Sequence, residues 1–170
     1  VTRYSLTVDT DVKDLRSADH LLHELAAGLD LPQDAFGCTH LVRGDRPRVV
    51  LSLSFPSEPL LRIARERLRA GGHEVTAGLP DAVGRAVIYP GVSTLTGTLT
   101  VAELLSRSAI DRVTVLGAPG RPAEDTRMVT REHVRPQWQN GELVLAAMPA
   151  VGGTLVPFEV PDPTPCCADH

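Results

Sequence analysis

Arg48-Val49-Val50-Leu51-Ser52-Leu53-Ser54-Phe55 is the stretch on which the fold turns. It is rich in β-branched and apolar residues and follows a turn sequence, Arg43-Gly44-Asp45-Arg46-Pro47, so it reads as a strand. Immediately upstream, residues 38–42 form a second β-like run, and the turn between the two predicts a hairpin.

Working outward toward the N-terminus, residues 12–27 carry a helical period. Leu15, Ala18, Leu21, Leu22, Leu25 and Ala26 fall on one face, and Gly28 occupies the position just past the end, with Pro32 beyond it. Before them, residues 3–9 alternate Tyr4, Leu6 and Val8 with Arg3, Ser5 and Thr7, the pattern of a half-buried strand. On the other side of the hairpin, Ser57 is placed to cap a helix over 58–70, with Pro59 in its first turn and Gly71 closing it. Residues 73–76 supply a short closing strand. The order β-α-β-β-α-β is that of the split βαβ, or ferredoxin-like, arrangement.

The rest reads as β-rich. Residues 79–84 make a turn-rich joint and 85–89 a strand. Threonines at 94, 96, 98 and 100 alternate with Leu95, Gly97 and Leu99 as a strand with a threonine face would. Thr100 and Glu103 form a capping box that starts a short helix through about Arg107. Residues 111–116 return as a strand, and residues 123–134 fit helix or strand equally. Asn140-Gly141 is the clearest hairpin turn in the chain, and residues 154–160 form the last strand. The expected fold is therefore α+β: a ferredoxin-like βαββαβ first half with a β-rich second half. A chain of 170 residues suits one compact domain, with a subdivision at 1–78 and 84–170.

Composition bounds the function. A net charge of −4 speaks against a nucleic-acid partner. Lys13 is the single lysine among 17 basic residues, and this arginine excess reads as the bias of a GC-rich coding sequence. The absence of an apolar run of about 18 residues predicts no membrane partner, and residues 1–6 carry no signal-peptide pattern. Three cysteines, two of them adjacent, make no disulfide framework, which suggests a cytoplasmic setting.

The segment with the most ligand chemistry is Pro165-Cys166-Cys167-Ala168-Asp169-His170. Cys167-x-x-His170 has the spacing of a metal clamp, Cys166 adds a thiol, and thiolate with imidazole suits zinc. The tail alone offers too few well-placed ligands. Cys38-x-His40 is the other Cys/His pair, and residues two apart in an extended segment point the same way. The expected site is thus Cys38, His40, Cys166, Cys167 and His170 around zinc, in a small metal-binding protein or metal-dependent enzyme. Two alternatives stand beside it. One is a cysteine-dependent small-molecule enzyme, with Cys166 or Cys167 paired to His40, His133 or His170. The other is an assembly protein whose proline-rich tail docks on a second copy to make a homo-oligomer.

Other motifs read as structural. His20, His23 and Glu24 form a polar helix stripe, not a zinc-protease pattern. Gly117-x-x-Gly120 lacks the lysine of a phosphate loop. Arg62, Arg65 and Arg69 make a solvated helix face. No G-x-S-x-G motif occurs, so serine hydrolysis is not expected.

Overall fold

Local chemistry sets the elements of the first half in the computed structural model, which describes residues 3–161. Tyr4–Asp9 forms strand β1. Helix α1 spans Leu15–Leu29, and the Asp14 side chain accepts the Ser17 N–H at 2.8 Å as its N-cap. The helix runs past the expected stop at Gly28. Leu29 packs on the core, and Asp30, at φ 53°, takes the left-handed capping conformation instead.

Phe36–Val42 is β2 and Arg48–Phe55 is β3. Helix α2 covers Glu58–Ala70; Ser57 holds its N-cap position without a side-chain bond, and Gly71 N–H donates to Arg67 O at 3.1 Å. Glu74–Ala77 is β4. These strands run in the order β4-β1-β3-β2, each antiparallel to its neighbour.

Pairing fixes the two faces of this sheet, because directly opposed side chains share a face and successive ones alternate. Leu6 opposes Leu53 and Val8 opposes Leu51. With Val49 and Phe55 they form one core cluster with Ala18 and Leu22 of α1 and Ala64 and Leu68 of α2. The other face, turned away from α1 and α2, carries Ser5 and Thr7, then Ser52 and Ser54, then Phe36, Cys38 and His40.

The second half continues the same hydrogen-bonded sheet. Arg85–Ile88 (β5) pairs with β2, opposing Arg85 to Thr39 and Ala86 to Cys38. The remaining elements are β6 (Thr98–Thr100), α3 (Val101–Arg107), β7 (Arg112–Val115), β8 (Arg127–Val129), β9 (Gln137–Gln139), β10 (Glu142–Ala150) and β11 (Thr154–Pro157). Three helices and an eleven-stranded sheet among the described residues make the fold α+β. A second core cluster, built around Tyr89, Leu104, Met128, Leu143 and Leu145, also takes in Phe36 and Cys38.

One expectation needs correction and one open reading is resolved. The threonine-faced strand over 94–100 shrinks to Thr98–Thr100. Residues 92–94 wind into a single 3₁₀ turn, where Thr94 Oγ1 donates to Gly91 O at 2.7 Å, and Gly97 at φ 63° breaks the extended path. The ambiguous stretch 123–134 contributes only the short strand β8. The turn at Asn140-Gly141 has φ of 51° and 81°, the doubly positive pattern of a type I′ hairpin. No helix among the described residues is long and apolar enough to cross a membrane.

Candidate functional site

The face of the first sheet opposite α1 and α2 is the floor of a half-open cavity of about 660 Å³. Ser5, Phe36, Cys38, His40, Ser52 and Ser54 form this floor, Arg3 and Trp138 flank it, and residues 79–84 form its rim. The strand period explains why polar groups gather here. The apolar residues of β1 and β3 face the helices, which leaves the serines between them on the other side. Two of those hydroxyls, Ser5 Oγ and Ser54 Oγ, are 2.7 Å apart.

His40 is the organising residue. It is 3% exposed, and both ring nitrogens are occupied: Nδ1 lies 3.2 Å from Ala82 O and Nε2 lies 2.7 Å from Ser52 Oγ. Burial pushes its pKa below the usual 6.5, against weaker upward pulls from the Ala82 and Val83 backbone. A carbonyl oxygen only accepts, so Nδ1 carries the proton and donates to Ala82 O. In the neutral ring Nε2 is then an acceptor, and Ser52 O–H donates to it.

Gly84 makes this packing fit. A Cβ there would come 3.2 Å from His40 Cε1 and 3.2 Å from Trp138 Cδ1. Trp138 is held by its backbone N–H donating to Gly84 O at 2.9 Å, and its ring meets Phe36 at 5.4 Å with a 58° tilt. Cys38 is 5% exposed, and burial pushes its thiol up to about 11, outweighing hydrogen bonds with Trp138 and Ser52. It is a protonated thiol at neutral pH rather than a nucleophile or a ready thiolate ligand.

Arg3 supplies the charge. Its guanidinium lies 4.5 Å over the Phe36 ring, a cation–π contact. Nη2 donates to Asp34 O at 2.7 Å and to Ser54 O at 3.0 Å, while Nε is buried with no partner among the described residues. Both bonds go to carbonyls, so no carboxylate hydrogen-bonds to this cation among the described residues.

On the opposite face a second cavity, of about 570 Å³, borders an ion network. Arg85 bonds Asp19 through Nη1 at 2.6 Å and Nη2 at 3.1 Å, and Glu159 through Nε and Nη2, each at 2.7 Å. Arg135 Nε donates to Asp19 at 3.1 Å, and His133 Nε2 lies 2.6 Å from Glu159. Both carboxylates and both guanidiniums are paired within the network, which ties α1, β5, the 133–135 loop and the segment after β11 together.

Of the residues expected to ligate zinc, Cys38 and His40 stand on one wall of the first cavity. Cys166, Cys167 and His170 lie outside the described residues, among which no group of three or more His, Cys, Asp or Glu is placed to hold a metal. Ser52, Arg3 and Trp138 are not among the residues that stand out in the sequence as chemistry-bearing. The available signals were two serines inside an apolar run and the single tryptophan of the chain. His20 and Glu24, 3.0 Å apart and exposed, form the polar stripe the sequence suggested. Arg62 pairs with Glu58 at 2.8 Å in the open, as a solvated helix face does.

No protein-family model, no curated protein and no solved structure matches the chain.

Proposed function

We propose that the chain binds a small molecule with an apolar or aromatic body and an anionic group, in the cavity between β1–β3 and residues 79–84. The observation that carries this reading is Arg3. A guanidinium stacked on Phe36, with one buried nitrogen unpartnered and no carboxylate bonded to it among the described residues, lines a cavity that also has an aromatic wall. A volume of about 660 Å³ falls in the range of small-molecule sites, which pair apolar walls with a few convergent polar groups. The anion would bond Arg3, and the Ser5–Ser54 hydroxyl pair would lie beside it with one proton still to donate.

Trp138, the single tryptophan, reports on the site directly. Titrating the protein with monocarboxylates from acetate to naphthoate should give saturable changes in its emission, tightest for aromatic acids. Arg3→Gln should weaken the tightest of them roughly tenfold, the worth of a charge-assisted bond. A flat response across the series would remove the proposal.

A second reading keeps zinc, held by Cys38 and His40 with Cys166, Cys167 and His170. Its support is that Cys38 and His40 share one cavity wall. It requires Ser52 to release Nε2 and the Cys38 thiol to give up its proton, both at a cost. Native mass spectrometry of the full chain tests it: stoichiometric zinc, lost on removing residues 166–170, supports it, and a metal-free mass does not. The ferredoxin-like reading of the first half belongs here as well. It is supported by the antiparallel order β4-β1-β3-β2 with both helices on one face.

A further inference from the structure

We propose that Ser52 is a nucleophile with His40 as its general base, and that the cavity hydrolyses esters of short acids bearing a second, anionic group. This rests on the reading of the cavity as an anion-binding ligand site. A nucleophilic serine needs three things: a base within hydrogen-bond reach, a third group that fixes the base, and room for a reacting carbonyl. Ser52 Oγ is 2.7 Å from Nε2, Ala82 O holds Nδ1–H, and the serine stands on the floor of the cavity. At 2% exposure, Ser52 is shielded from bulk water, and its hydroxyl sits between the imidazole, to which it donates, and the Cys38 thiol.

The substrate class follows from Arg3. Its guanidinium bonds Ser54 O, two residues along β3 from Ser52, which is about 7 Å at the strand rise. An acyl group with a carboxylate on Arg3 and its ester carbonyl at Ser52 therefore spans four or five carbons, as in the half-ester of a short dicarboxylic acid. In the first step Ser52 Oγ bonds the ester carbon while Nε2 takes its proton. The tetrahedral species collapses, the C–O bond to the alcohol breaks, and Nε2–H protonates the departing oxygen. Water then attacks the acyl-serine, giving a proton to Nε2. The acyl–Oγ bond breaks, Ser52 recovers its proton, and the dicarboxylate leaves. Ester and water go in; acid and alcohol come out.

The test is a fluorophosphonate probe on the full chain, followed by peptide mapping. One adduct on Ser52 is expected, absent in Ser52→Ala and slowed at least about a hundredfold in His40→Gln, the usual worth of a general base. Mono-4-nitrophenyl succinate should be cleaved at least roughly tenfold faster than 4-nitrophenyl butyrate, and Arg3→Gln should erase that preference. Because the adduct is read on the wild-type chain, a poorly folding variant does not blunt the test. If carboxylates titrate Trp138 but no probe marks Ser52, the nucleophile is overturned and the ligand reading stands. If Ser52 is marked but neither carboxylate binding nor a succinyl preference appears, the nucleophile stands and the anionic substrate is overturned.

Discussion

His40 reaches Ser52 diagonally across the β2–β3 ladder: its directly opposed residue is Val50, yet Nε2 bonds the hydroxyl two residues further along β3, at 2.7 Å. Diagonal neighbours on one face lie within reach of a long planar side chain. The position directly opposite Ser52 is filled by Cys38, so imidazole and thiol flank the same hydroxyl. This is also why His40 is neutral. The ring is enclosed between a hydroxyl, a carbonyl and Gly84, with no carboxylate contributing to its titration.

That enclosure makes stability depend on pH. His40 titrates below its unfolded value of 6.5, so the unfolded chain binds more protons as pH falls, and the stability it contributes above 6.5 is lost as pH drops through the folded value. His23, lowered chiefly by burial, acts in the same direction. The thermal midpoint should rise from pH 5 to pH 7.5. His40→Asn should melt lower throughout but with a flatter rise, and an unchanged slope in calorimetry would contradict the assignment to His40.

Gly84→Ala should cost about 1–3 kcal/mol, the usual penalty of overpacking. The added methyl meets His40 Cε1 and Trp138 Cδ1, each at 3.2 Å. Neither neighbour yields easily, since the imidazole is pinned by two hydrogen bonds and the indole leans on Phe36. Urea denaturation gives the cost, and a shifted Trp138 emission shows that the cavity wall has moved.

Gly91 and Gly28 should respond in opposite senses. At Gly91, φ is 85° and a Cβ would lie 1.8 Å from Arg107 O, a backbone atom that cannot step aside. Gly91→Ala should therefore cost more than about 3 kcal/mol, from strain and clash together. Gly28 sits inside α1 with nothing within 4 Å of a Cβ, so Gly28→Ala should stabilise by about 0.5–1 kcal/mol. Equal effects at both sites in urea melts would refute this.

Elements coded by local chemistry were legible in the sequence. The Thr100–Glu103 cap, the Asn140-Gly141 turn and the apolar run at 48–55 each announce themselves within a few residues. What depends on register was not. Ser52 looks like one polar residue in a strand until the diagonal to His40 is known. Asp19 lies among the apolar positions of α1, and its partner Arg85 is 66 residues away. The zinc set needed Cys166, Cys167 and His170, which fall outside the described residues, so only its Cys38–His40 half has a location.

Asp19 and Arg85 carry the last prediction. Both are nearly buried, at 8% and 7% exposure, and Arg85 also holds Glu159. Arg85→Met keeps bulk but strands two carboxylates, of which only Asp19 retains a guanidinium, that of Arg135. Removing one partner of a buried ion pair costs about 3–5 kcal/mol, so this variant should be the least stable of the charge substitutions. Glu159→Gln should be milder, because the amide still accepts from Arg85. Burial pushes Glu159 up, but the Arg85 bonds and charge, helped by His133, carry it net below its usual 4.5. Its contribution is present above pH 4.5 and is lost as pH falls through the folded value. Acid titrations followed by circular dichroism should thus show wild type losing stability below pH 4.5 more steeply than Glu159→Gln. Parallel curves would mean that the Arg85–Glu159 pair does not stabilise the fold.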